Sequence, residues 1–162
     1  MVSDNITEMV TALGNALRRK GWTVSSAESC TGGGVAFAFT SIAGSSDWFN
    51  QSWVTYSNDA KIRELAVKPE TLNAHGAVSM QTVEEMAAGV KHKSAANVVV
   101  TVSGIAGPGG GSEEKPVGTV WFGFICGAKS ETIKQVFAGD RETVRLHAIE
   151  FAITHLLAML AD

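Results

Sequence analysis

Apolar residues at Ile6, Met9, Val10, Leu13 and Leu17 recur every three or four positions. That spacing lines one face of a helix, and Gly21 suits the position just past its end. Asn5 with Glu8 three residues on resembles a capping box at its start. Trp22–Ser26 is short and β-prone and predicts a strand. Three glycines follow, then the apolar run VAFAFTSIA, whose alanines and trailing Gly44 favour helix over strand. Gln51–Ser57 (QSWVTYS) alternates as a second strand does. Asn58 is the expected cap of a helix over DAKIRELA, Pro69 opens a short helical turn at PETLNAHG, and Ser79 caps MQTVEEMAAGVKHKS. ANVVVTVSG carries apolar residues on both faces, the pattern of a buried central strand. A glycine-rich loop leads to TVWFGFICG and ETIKQVFAG, a hairpin around GAKS, and Asp140 caps a long last helix.

Helices and strands alternate up to the third strand, which predicts parallel crossover units, and the hairpin adds antiparallel strands. The expected fold is a three-layer α/β/α sandwich with a mixed, mostly parallel sheet, in one domain over residues 1–162. Composition agrees. At 162 residues and 45% apolar the chain can bury a sizeable core. A formal net charge of −3 lacks the basic footprint of a nucleic-acid binder, though local cations still suit a small anion. Cys30 and Cys126 make no disulfide framework and read as free thiols of a reducing compartment. No leader-like start and no membrane-length apolar run is apparent, so a cytoplasmic protein without a membrane partner is expected.

Four stretches carry candidate chemistry. In TVSSAESCTGGGVA, a strand ends in Glu28-Ser29-Cys30-Thr31, then Gly32, Gly33 and Gly34 open a helix. Ligands of open α/β sheets collect at such corners, where backbone amides and a helix N-terminus favour an anion or an oxyanion. The corner reads equally as a nucleophile elbow, a phosphate cradle or a plain glycine turn. Ser29 and Cys30 are both nucleophile candidates. His75, His92, His147 and His155 lack a motif that would pair either with a base, and no zinc-ligand spacing appears. In VTYSNDAKIR, Tyr56, Ser57 and Lys61 follow the second strand. Lys61 serves as a base only if burial or nearby cations depress its pKa; otherwise it is a solvated surface lysine. In SGIAGPGGGSEEKPVGT, Ser103, Gly104 and Gly107 leave the end of the central strand, and Lys115 adds a charge. In GDRETVRLHA, Arg141 and Arg145 share a face at a helix N-terminus, against the dipole, which suits an anion or acidic partners.

Taken together, AESCTGG, IAGSSDWF, VTYSNDAK, HGAVS, SGIAGPGGGSEEKPVGTVW and FAGDRETVR resemble the CinA C-terminal domain family, and within it the stand-alone nicotinamide-nucleotide amidohydrolases. The six motifs occur in order from about Thr23 to Arg145. No further N-terminal domain of the kind fused in longer CinA proteins is expected. The resemblance implies hydrolysis of nicotinamide mononucleotide to nicotinic acid mononucleotide and ammonia, with no metal and no cofactor. It implies Ser29 as nucleophile, Lys61 as base and Tyr56 as its assistant. Substrate-binding residues are expected among Thr31, Gly32, Gly33, Ser46, Phe49, Asn58, Ser103, Gly104, Gly107, Arg141 and Arg145. Phe49 or Trp48 is a candidate to stack on the cationic ring, and Asp47 or Glu28 to supply negative charge. The phosphate falls to the arginines or the Gly104–Gly107 amides. A homo-oligomer is expected, with the arginines first candidates for residues lent between subunits. The contrasting reading is a catalytically silent nucleotide-binding or competence-associated domain, and a weaker one is a cysteine amidase using Cys30.

Overall fold

A computed structural model describes residues 2–161. Five strands form one sheet in the order β2-β1-β3-β4-β5, with β1 at Val24–Glu28, β2 at Phe49–Val54, β3 at Val98–Gly104, β4 at Thr119–Cys126 and β5 at Lys129–Val136. β1 pairs in parallel with β2 and β3, whereas β4 is antiparallel to both its neighbours. The sheet is therefore mixed, with β4 alone reversed. Helices α1 (Asp4–Lys20), α2 (Gly34–Phe39) and α6 (Arg141–Leu160) cover one face; α3 (Asn58–Leu65), α4 (Pro69–His75) and α5 (Met80–Ser94) cover the other. This is the expected three-layer sandwich.

The central strands explain why both faces need helices. Every residue of β1 is buried, and so is β3 up to Ser103. Alternate side chains point to opposite faces. Val98, Val100 and Val102 enter the core under α1 and α6, while Val99 packs beneath α5. By length and composition α6 would suit a bilayer. Its Val144, Ala148, Ala152, Ile153 and Leu156 are instead fully buried in the first core, so here it is a core helix. α5 lies so close to the end of α3 that a Cβ on Gly89 would sit 2.2 Å from the Leu65 carbonyl oxygen. Only glycine permits that approach, which fixes α3 against the sheet.

Several local expectations shift by a few residues. Ser3, not Asn5 with Glu8, caps α1 by accepting from the Ile6 amide at 3.2 Å. Ser57, not Asn58, caps α3 through the Ala60 amide at 3.0 Å. In both cases a serine one or two positions upstream reaches the third amide, the geometry an N-cap requires. β1 begins and ends two residues later than expected, so Glu28 belongs to the strand. β2 starts at Phe49 and ends at Val54, because Thr55 and Tyr56 turn toward α3. PETLNAH forms a full helix, α4. Ser79 and Asp140 cap α5 and α6 as expected.

Candidate active site

The parallel strands β1, β2 and β3 end at the same edge of the sheet, and the candidate chemistry gathers there. Ser29 leaves β1 with its amide on the Val102 carbonyl of β3 at 3.0 Å, while the Thr55 amide beyond β2 bonds the Glu28 carbonyl at 3.0 Å. These two bonds extend the ladders past the strands and set the positions of Ser29 and Thr55. Lys61, in the first turns of α3, is 1% exposed. Its Nζ lies 3.3 Å from Ser29 Oγ and donates to the Thr55 carbonyl at 2.8 Å. Among the described residues no carboxylate pairs with it. Burial lowers its pKa from 10.5 to about 8, because the ammonium has lost its water without gaining a counter-ion.

Cys30 has the opposite character. It is 6% exposed, and burial pushes its thiol up to about 11. A thiol so held is a poor nucleophile at neutral pH. Its carbonyl accepts from Arg145 Nε at 3.1 Å, and the Thr31 carbonyl from Arg145 Nη2 at 3.4 Å. Arg145 thus clamps the Ser29–Thr31 turn from α6 of its own chain. Gly33, at φ +100°, lets the chain turn from there into α2. The Gly32 amide is committed to the Ser29 carbonyl at 2.9 Å and that of Gly34 to Thr31 at 3.0 Å. The amides of Thr31 and Gly33 have no backbone acceptor among the described residues.

Glu28 is fully buried at the N-terminus of α2. Its carboxylate accepts from the Thr31 hydroxyl, the Val35 amide at 2.9 Å and the Ala36 amide at 3.0 Å. It therefore anchors the turn to the helix and is not placed to meet a cationic ring. This role was missed in the sequence, where only its position between a strand and a glycine-opened helix hints at it. The Thr55 carbonyl, which orients Lys61, carries no sequence signal at all.

Arg141 Nη1 donates to the Gly107 carbonyl at 2.8 Å, and its Nη2 to the Tyr56 hydroxyl at 3.2 Å. It joins the glycine-rich loop, α6 and the segment after β2. Tyr56 presents its carbonyl, 3.5 Å away, to Ser29 Oγ, while its phenol faces Arg141. Ser103 is buried at the end of β3 beside Ser29, and Gly104 pairs with Val120 across to β4. Lys115 is turned away, donating to the His75 carbonyl at 2.6 Å. On the α6 side of the turn, a cavity of about 470 Å³ is lined by Thr31, Gly34, Phe37, Arg141, Arg145 and Ile149, among others.

Not every expected residue joins this cluster. Asn58 is the exposed first residue of α3. Ser46, Asp47, Trp48 and Phe49 lie at the other end of β2, where Phe49 pairs with Val24 while Val54 pairs with Glu28. Trp48 is fully buried, Asp47 pairs with Arg18 at 3.4 Å, and Phe49 packs 5.3 Å from Phe39. Within one chain none of the four reaches Ser29.

The profile of the CinA C-terminal domain matches residues 6–160. A protein of Enterobacter agglomerans named nicotinamide-nucleotide amidohydrolase PncC is 56% identical over 154 residues, 94% of each chain. A protein of the same name from Escherichia coli K12 is 50% identical over 96% of this chain and 95% of its own. Among solved structures, the competence/damage inducible protein CihA of Agrobacterium tumefaciens superposes with a TM-score of 0.95 at 41% identity, covering 100% of this chain and 99% of that one. The competence damage-inducible protein A of Klebsiella pneumoniae gives 0.93 at 39% identity, over 97% and 98%.

Proposed function

The chain belongs to the CinA C-terminal domain family, and on that premise we propose that it hydrolyses the carboxamide of nicotinamide mononucleotide, with Ser29 as nucleophile and Lys61 as base. The names of the relatives support the substrate. The observation that carries the mechanism is a buried lysine, without a carboxylate partner, 3.3 Å from a serine hydroxyl at the end of a parallel strand. At a pKa of about 8, roughly a tenth of Lys61 is neutral at pH 7. That fraction takes the Ser29 proton as Oγ attacks the carboxamide carbon. The Thr31 and Gly33 amides are the candidates to receive the charge on the former carbonyl oxygen, an effect worth about 3 kcal/mol per donor in hydrolases. Collapse breaks the C–N bond, and ammonia leaves with the proton that Lys61 holds. Water then gives a proton to Lys61 and attacks the ester; Ser29 departs and recovers its proton, releasing nicotinic acid mononucleotide.

Arg141 and the neighbouring cavity offer the phosphate a cationic wall on the far side of the turn. In this reading Tyr56 keeps Arg141 in place, and Arg145 holds the turn that carries Ser29. The enzyme is expected to work as a homo-oligomer in the cytoplasm. The test is ammonia release from nicotinamide mononucleotide by the wild type, Ser29→Ala and Cys30→Ala. Ser29→Ala should lose at least a thousandfold in kcat and Cys30→Ala should stay near wild type. The reverse pattern overturns the Ser/Lys mechanism. Binding of the nucleotide without ammonia release by the wild type overturns the enzyme in favour of a silent binder.

A further inference from the structure

Amide hydrolysis would turn a neutral carboxamide into a carboxylate beside Ser29, and the residues there treat the two groups differently. The charge nearest Ser29 Oγ is the Lys61 ammonium, with Nζ at 3.3 Å. Its other partner is the neutral Thr55 carbonyl, at 2.8 Å. On the turn, the Thr31 and Gly33 amides have no backbone acceptor among the described residues. A bound carboxylate would find a cation on one side and N–H donors on the other. One group opposes it. The Tyr56 carbonyl, 3.5 Å from Ser29 Oγ, suits an amide N–H and repels a carboxylate oxygen. A carbonyl dipole is weaker than a full charge, and burial strengthens the charge, so the ammonium decides.

No neighbouring group cancels that charge. Glu28 commits its carboxylate to the Thr31 hydroxyl and to the Val35 and Ala36 amides at the start of α2. The Cys30 thiol stays neutral, because burial pushes it up to about 11. Around α3, Asp59, Arg63, Glu64 and Lys93 pair among themselves at exposed positions. α5 contributes Val83, Met86 and Ala87 to the core shared with Leu65, and its Glu85 is held by the Lys68 amide and the Thr71 hydroxyl. From α6, Arg145 adds a positive charge behind the turn and Arg141 another beyond Tyr56. A ligand head therefore enters positive surroundings. The head of a nicotinamide nucleotide carries one net positive charge, on the ring. In the corresponding acid the carboxylate cancels it.

We propose that the Ser29–Lys61 site is a receptor for pyridine-3-carboxylate nucleotides and binds the acid more tightly than the carboxamide it comes from. The position of the ring rests on the amidase reading above. The carboxylate accepts from Lys61 Nζ and lies toward the Thr31 and Gly33 amides. While it is bound, Lys61 keeps its proton and is unable to serve as a base, so the product silences the enzyme until it leaves. This inhibition eases in alkaline solution, since only the charged lysine favours the acid.

Calorimetry on Ser29→Ala, which retains Lys61 but lacks the proposed nucleophile, compares the two ligands directly. At pH 7 nicotinic acid mononucleotide should bind at least about tenfold more tightly than nicotinamide mononucleotide. Its affinity should fall at least about fivefold from pH 7 to pH 9, as Lys61 loses its proton near 8, while that of the amide holds or improves. The phosphate is common to both ligands and cancels. Adding Lys61→Met should remove the preference. In the wild type the acid should inhibit ammonia release competitively, with the same pH trend. Equal, weaker or absent binding of the acid, a preference that survives Lys61→Met, or an affinity flat from pH 7 to pH 9 overturns the proposal. If the wild type still releases ammonia in those cases, the amidase reading stands without it. If the wild type releases no ammonia while the acid preference follows Lys61, the amidase reading falls and the carboxylate receptor stands.

Discussion

Replacing Lys61 with methionine separates its proposed use as a base from its effect on stability. The side chain is 1% exposed, and its pKa falls from 10.5 to about 8 on folding. Below pH 8 both the native and the unfolded chain hold the proton, and above 10.5 neither does. Between them only the unfolded chain is protonated, so wild-type stability rises with pH across that window. The shift of about 2.5 units at about 1.4 kcal/mol each makes the buried ammonium cost about 3 kcal/mol at pH 7. Methionine removes that cost but leaves the Thr55 carbonyl without its donor, a loss of about 1–3 kcal/mol. At pH 7 the variant should therefore match or exceed the wild type in stability while losing ammonia release. Urea unfolding of both proteins from pH 7 to pH 10.5 provides the measurement. Other titrating groups are common to both and cancel in the difference, apart from the Cys30 thiol, which the Lys61 charge helps to ionise. The wild type should gain about 3 kcal/mol on the variant over that range. Parallel stability curves would mean that Lys61 is not held as a desolvated ammonium, and the argument for it as a base would fall.

Three further outcomes are expected. With Lys61 as the base, the logarithm of the wild-type rate at limiting substrate should rise with unit slope below pH about 8 and level off above it; a rate flat from pH 6.5 to 9 contradicts this. Glu28→Gln should destabilise the protein by about 2–4 kcal/mol in urea unfolding, since an amide cannot accept all the bonds from Thr31, Val35 and Ala36. Gly89→Ala should cost about 1–3 kcal/mol and lower kcat, because its Cβ would push Leu65 and the helix bearing Lys61 off the sheet; unchanged stability and kcat would show that α3 is free to move.

Much of this was legible in the chain. Hydrophobic periodicity determined the helices, the buried central strand and the layered class, because a strand apolar on both faces must be covered twice. Spacing along the chain placed Ser29 and Lys61 after successive strands, and parallel strands end at one edge. The exact caps were less legible, since Ser3 and Ser57 compete with nearby Asn5 and Asn58 and only backbone direction decides between them.

What the sequence could not determine is set by contacts between distant segments. Serine and cysteine are adjacent in the chain, but Lys61 approaches the Ser29 hydroxyl, while Cys30 is sealed where its thiolate is disfavoured. In the sequence Glu28 is a candidate to face the cationic ring, and the start of α2 turns it instead into an anchor. Arg141 and Arg145 read as a pair against a helix dipole; tertiary structure gives one to the glycine loop and Tyr56, the other to the turn. Local pattern fixes which surfaces are apolar and where the chain turns. The depth of burial that lowers the pKa of Lys61 depends on α3, α5 and the sheet closing over it together, and no short window of sequence contains that.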